Sequence, residues 1–130
     1  MTPLPIRGMD YVILLCHDLA AMRRFYHEVF GFPVYHDSPD WIELQVGSSL
    51  LALRARGRSY DGAIPSGVAG VQLAFRVTPD DLDGWHVKLI ALGVVVLEGL
   101  TDKGYGHRTA FYRDPEGNIV ELYADVPKKE

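Results

Sequence analysis

The chain has one cysteine, Cys16, among 130 residues, so it cannot form a disulfide within itself or build a cysteine cluster for structural zinc. Val12 and Leu14 precede Cys16 in alternation, which assigns it to a buried strand as core filler rather than as a reactive thiol. Long apolar runs are also missing. No segment reaches the roughly 20 apolar residues that a membrane-spanning helix needs, and residues 1–8 hold two prolines but no stretch of signal-peptide character. The expectation is a cytoplasmic protein without a membrane partner. Positive charge is in short supply, with 13 Lys and Arg against 17 Asp and Glu and a net charge of −4. Apart from Arg54, Arg56 and Arg58 the basic residues are scattered, which speaks against nucleic acid as a partner. What is present is 48% hydrophobic and 23% charged residues, the balance of one ordinary globular domain spanning 1–130.

The pattern along the chain runs strand, helix, three strands, and then repeats. Met9 to Cys16 alternates as a strand covered on both faces, with Tyr11, Ile13 and Leu15 opposite Val12, Leu14 and Cys16. Asp18 is an N-cap, and Met22, Phe25, Tyr26, Val29 and Phe30 form a helical stripe that Gly31 ends. Residues 33–37 carry a weak strand signal, whereas 41–46 and 50–56 alternate cleanly around Gly47-Ser48-Ser49. Residues 57–70 hold four glycines and read as the connection between a first module at about 9–56 and a second at about 71–126.

In the second module a strand at 71–77 precedes Thr78-Pro79-Asp80-Asp81, an N-cap, an N1 proline and an acidic first turn. The helix stripe is Leu82, Trp85, His86, Leu89 and Ile90, ended by Gly93. A short strand at 94–97 and a glycine-bearing loop at 99–106 follow, with Tyr105 a candidate lid residue between its glycines. The strands 107–113 and 119–124 then flank the turn Asp114-Pro115-Glu116-Gly117-Asn118 as a hairpin. Tyr11 and Gln72, like Gly31 and Gly93, stand about 61 to 62 residues apart, the mark of an internal duplication. The fold class is therefore α+β: two tandem βαβββ modules forming a curved mixed sheet around a central cavity, with helices on the outer face.

Three segments carry a resemblance to a known family. They are Asp18-Leu19 leading through Phe25-Tyr26 to Phe30-Gly31-Phe32, the strand Leu73-Ala74-Phe75-Arg76-Val77, and above all Phe111-Tyr112-Arg113-Asp114-Pro115-Glu116-Gly117-Asn118 followed by Ile119-Val120-Glu121-Leu122. Together with the module order, they resemble the vicinal oxygen chelate superfamily of glyoxalases, bleomycin resistance proteins, fosfomycin resistance enzymes and extradiol dioxygenases. The resemblance implies that a divalent ion, where one is bound, sits at the positions occupied here by Tyr11, Gln72, Glu121 and Ala52. Only Glu121 is a strong ligand; Gln72 is an uncharged donor, and a phenol is protonated near neutral pH. The position of the dioxygenases' catalytic tyrosine falls on Phe111, which has no proton to give.

Each candidate residue carries two readings. Glu121 is the candidate catalytic group, as a base, an acceptor or an ion holder, against a structural ion pair. Gln72 either contacts ligand or bonds between strands, and Tyr11 either reaches the cavity or is a core tyrosine. Trp41 and Arg54 offer an aromatic wall and an anion-binding guanidinium, or else Arg54 makes a solvated ion pair with Glu43 on the adjacent strand. His107, on the face of Thr109 and Phe111, lines the pocket or its rim.

The leading expectation is a small-molecule-binding member of the family that lacks the usual metal triad and needs no cofactor, with Tyr11, Trp41, Arg54, Gln72, His107, Phe111 and Glu121 as ligand-binding residues. A divalent-metal-dependent lyase, isomerase or dioxygenase, with Gln72 and Glu121 among the metal ligands, is the first alternative. An interaction module with a vestigial pocket is the second. The resemblance further implies a homodimer.

Overall fold

The computed structural model describes residues 2–128, and the chain divides between Gly62 and Ala63, inside the 57–70 connection, into two compact units. In the first, strand β1 (Tyr11–Cys16) leads into helix α1 (Leu19–Arg23), and then come β2 (Val34–Ser38), β3 (Trp41–Val46) and β4 (Ser49–Ala55). The second repeats the order with β5 (Gln72–Arg76), α2 (Pro79–Ala91), β6 (Val96–Lys103), β7 (His107–Arg113) and β8 (Ile119–Asp125).

Each unit builds its own four-stranded mixed sheet, β1-β4-β3-β2 in the first and β5-β8-β7-β6 in the second. The first strand of each module runs parallel to the last, and the other pairs are antiparallel. The duplicated α+β architecture expected from the sequence is thus present, as two sheets that do not close into a barrel.

Asp18 caps α1 by accepting a hydrogen bond from the Ala21 amide at 3.0 Å. The helix then continues without a break as π-helical turns over Arg24–Val29, which widen to bring Phe25, Tyr26 and Phe30 together with ring centroids 4.9 to 6.3 Å apart. Beneath it lie Leu14, Cys16, Ile42, Leu44, Leu51 and Leu53, all buried. Full burial of one such leucine contributes about 2 kcal/mol.

In the second unit the Thr78 hydroxyl accepts from the Asp81 amide at 3.2 Å to start α2. That helix packs Leu82 and Leu89 over Tyr112, Val120 and Leu122, and His86 meets the Tyr112 hydroxyl at 2.6 Å. Burial pushes the Tyr112 phenol up to about 12.

Four expectations are corrected here. Strand β1 begins at Tyr11 rather than Met9 and is covered on one face only: Leu14 and Cys16 are buried, whereas Tyr11 is 39% and Ile13 42% exposed. Ile90 lies outside the buried stripe of α2, 53% exposed, because only Leu82 and Leu89, two turns apart, meet the sheet squarely. The segment 34–38 is a full strand, held by pairing with β3 rather than by an apolar face of its own. Strand β6 runs on to Lys103, where a loop from Gly99 was expected. Register shifts on either side of Glu98 absorb Gly99, whose carbonyl accepts from the Thr101 hydroxyl at 2.9 Å.

Candidate functional site

Alternation gives each sheet one face under its helix, and the predicted residues other than the buried Arg54 are exposed or half-buried on the opposite side. In the second unit Gln72, Ala74 and Arg76 are exposed on β5, while Leu73 and Phe75 turn the other way. Glu121 on β8 is the direct partner of Ala74 on one side and Phe111 on the other. Its Oε1 accepts a hydrogen bond from Gln72 Nε2 at 3.1 Å. The carboxylate thus stands half-buried between an amide and a phenyl ring, with its second oxygen left for another donor.

Lys103 completes this group, its ammonium 5.9 Å from the Phe111 ring centroid and 2.7 Å from Glu98 Oε1. The hydrogen bond to Glu98 is the main cause raising the Lys103 ammonium above its ordinary pKa. Burial opposes the rise, and the charges of Glu98, Tyr105 and Glu121 add to it.

His107 opens β7, four residues before Phe111 on the same face, which is roughly 13 Å at the rise of a strand. Its ring lies 4.6 Å from that of Tyr123 and 5.3 Å from that of Tyr105, and its Nε2 is 3.5 Å from Asp125. Arg76 reaches the Tyr123 hydroxyl at 3.1 Å. His107 therefore belongs to a ladder of rings at the sheet's end, and Tyr105 is part of that ladder.

In the first unit Tyr11 and Trp41 meet edge to face with centroids 6.1 Å apart. Trp41 donates from Nε1 to Glu43 Oε1 at 2.9 Å. The charge of Glu43 is the main cause raising the Tyr11 phenol above its ordinary pKa, with burial, Asp10, a hydrogen bond to Glu43 and Tyr35 adding to the effect. A cavity of about 350 Å³ adjoins Tyr11, lined also by Met9, Asp10, Ser48 and Ser49.

Arg54 does not join this group. The expected ion pair with Glu43 is absent because the register sets Arg54 opposite Trp41 and Glu43 opposite Ala52. The guanidinium instead makes two hydrogen bonds to Asp61, at 2.6 and 3.1 Å, with side-chain exposures of 8% and 4%. It is neither a solvated charge nor an anion site.

Glu43 and Lys103 stand beside the expected residues without having been among them. For Glu43 a signal existed, its alternation with Trp41. Lys103 lay in a stretch whose glycines masked a strand.

Taken one by one, the positions where the resemblance implies metal ligands carry one strong donor, Glu121. Ala52 has no donor, the Tyr11 phenol is raised above its ordinary pKa by Glu43, and Gln72 offers an uncharged carbonyl oxygen while its Nε2 donates to Glu121. Glu121 is the single anionic ligand, and among the described residues no three His, Cys, Asp or Glu side chains cluster in a way that could hold a metal. No described helix is long and apolar enough to cross a membrane.

The sequence model for the Glyoxalase/Bleomycin resistance protein/Dioxygenase superfamily matches residues 8–122. Among characterised proteins, a glyoxalase domain-containing protein of Mycosarcoma maydis is 26% identical over 122 residues, 92% of this chain and 69% of that protein. Metallothiol transferase FosB of Lysinibacillus sphaericus is 22% identical over 118 residues, 91% of this chain and 82% of its own. Among solved structures, a glyoxalase/bleomycin resistance protein/dioxygenase from Nocardioides superposes with a TM-score of 0.78 at 21% identity, covering 98% of this chain and 89% of that one. Lactoylglutathione lyase from Agrobacterium tumefaciens gives 0.73 at 26% identity, with coverages of 92% and 95%.

Proposed function

The chain belongs to the glyoxalase/bleomycin resistance protein/dioxygenase superfamily, and from that premise we propose that it binds a small organic molecule on the open faces of its sheets without the family's metal centre. The observation that carries this reading is the engagement of Glu121 by Gln72 at 3.1 Å beside Phe111. A carboxylate with one oxygen satisfied and a ring alongside is suited to accept a hydrogen bond from a ligand. The protein acts in the cytoplasm, and as a homodimer. The dimer finds support in an exposed apolar strip at the end of α2 and the start of β6, comprising Val87, Ile90, Leu92, Val95, Val96 and Leu97. Sedimentation at micromolar concentration tests it.

The rival reading is a metal-dependent enzyme, favoured by relatives that bear the name metallothiol transferase and by the retained Glu121. One experiment separates the two. Protein purified without chelators is analysed for metal and then screened by thermal shift against metabolites, with and without EDTA. Binding is expected to persist in EDTA and to weaken at least about tenfold in Glu121→Gln; a ligand at 100 times its Kd stabilises by about 2.7 kcal/mol. Stoichiometric metal, with hits that vanish in EDTA, establishes the rival instead.

A further inference from the structure

We propose that the open face of the first sheet carries a site for an organic cation, a protonated or quaternary amine, built from the Glu43 carboxylate and the rings of Trp41 and Tyr11. The inference rests on the small-molecule reading above and narrows it to one ligand class.

Glu43 is half-buried and makes no ion pair with any described residue, although its sheet face contains a cation. That cation is Arg54, cross-strand from Trp41, and Asp61 takes it out of reach with two hydrogen bonds. An arginine free on this strand would neutralise Glu43, because opposite charges on neighbouring strands attract. With Arg54 locked, the carboxylate keeps its charge for a molecule from outside.

The aromatic groups fit the same ligand. The indole N–H of Trp41 is held by Glu43 Oε1 at 2.9 Å, which fixes the ring beside the carboxylate. Tyr11 meets it edge to face at 6.1 Å, so two rings and one negative charge share a patch. A cation within about 6 Å of a ring centroid is attracted to the face of the ring, and an alkylated ammonium keeps that attraction while losing little hydration.

Tyr11 also lines the cavity of about 350 Å³ described above, whose wall includes Asp10. The volume suits a small molecule. The Glu43 carboxylate already accepts from the Trp41 indole and the Tyr11 phenol and is flanked by carbon rings, surroundings that suit an organic cation better than a hard metal ion.

The test uses choline and its uncharged isostere 3,3-dimethylbutan-1-ol, each titrated into the full chain by calorimetry. Choline is expected to bind at least about tenfold more tightly than the isostere. Glu43→Gln removes that preference, and Trp41→Leu weakens choline at least about fivefold. Glu28→Gln, which removes one exposed negative charge from the helical segment, leaves binding within about twofold. Equal affinity for the two compounds, no saturation by choline up to about 100 mM, or unchanged affinity in Glu43→Gln overturns the proposal. Comparison of the two compounds on the unaltered protein does not depend on any variant folding. Were the cation preference absent while the metabolite screen still returned neutral or anionic hits, the cation site would fall and the small-molecule reading would stand.

Discussion

Arg54 and Asp61 form a two-pronged ion pair across seven residues of sequence, Nη2 to Oδ1 at 2.6 Å and Nη1 to Oδ2 at 3.1 Å. Asp61 also accepts the amides of Gly57 and Arg58, so one carboxylate gathers the start of the intermodule connection against the end of β4. The hydrogen bonds from Arg54 hold its carboxyl far below the usual range; burial works against them, and the two amides reinforce them.

Asp61→Asn is therefore expected to lower the Tm by more than about 5 °C at neutral pH, since it strands a guanidinium. A carboxyl depressed in the folded state contributes stability above its unfolded value near 4 and loses it as pH falls toward the folded value. The gap in Tm between the unaltered protein and Asp61→Asn should thus shrink below about pH 4, as differential scanning calorimetry from pH 7 to pH 3 checks.

Tyr112 gives the opposite pH signature. Its phenol is pushed up to about 12 by burial, so between pH 10 and 12 the unfolded chain loses a proton that the folded one keeps, and stability falls as pH rises. The loss approaches roughly 3 kcal/mol at the upper end. Tyr112→Phe removes this dependence and costs about 1 to 2 kcal/mol at neutral pH by leaving His86 without its 2.6 Å partner. Urea unfolding at pH 7, 9 and 10.5 measures both effects, those pH values being chosen to bracket the ordinary phenol value near 10.

Local chemistry explains what was readable in the sequence. Asp18, Thr78 and the Asp114 turn each act within four residues, and their caps and bonds are present in the structure. Alternation set which way Gln72, Phe111 and Glu121 face within their own strands, while their convergence on neighbouring strands was an expectation from the family resemblance. Pairing across strands was harder to read. Arg54 and Glu43 looked like partners because both point to the open face, but their relative register depends on the turn at 47–48 and pairs each with a different residue. The end of β6 was hidden because its residues are held by β7, with Lys103 opposite His107, while its own composition resembles a loop. Strand β2 shows the same limit, with Tyr35, His36 and Asp37 all exposed.

Gly117 is expected to be the least replaceable glycine of the hairpin. Its φ is +90°, and an added Cβ would stand 2.6 Å from the Gly67 carbonyl carbon, backbone that cannot swing aside. Gly93 has a similar φ of +77° with open space around it, so Gly93→Ala meets backbone strain alone, about 1 to 2 kcal/mol. Gly117→Ala should cost at least about twice as much, because the clash adds to the strain. Equal losses in urea unfolding would show that the 67 region moves freely away from the turn.

The hydrogen bond between Gln72 and Glu121 allows a test of the metal-independent reading proposed above. Gln72→Glu places a second carboxylate where Nε2 now stands, 3.1 Å from Glu121 Oε1. Two carboxylates at that separation resist ionising together, so the pair's pKa rises and the variant loses stability as pH climbs from about 4 to 7. The unaltered protein, with an amide donating to the same oxygen, has no such penalty. A divalent ion would relieve the repulsion by binding both oxygens, giving the variant the anionic donor pair that the chain lacks. Manganese or zinc at about 1 mM is thus expected to raise the Tm of Gln72→Glu by several degrees and to leave the unaltered protein within about a degree. A comparable rise in the unaltered protein would mean that Glu121 already recruits ligands from beyond Gln72, and the metal-independent reading would fail with it.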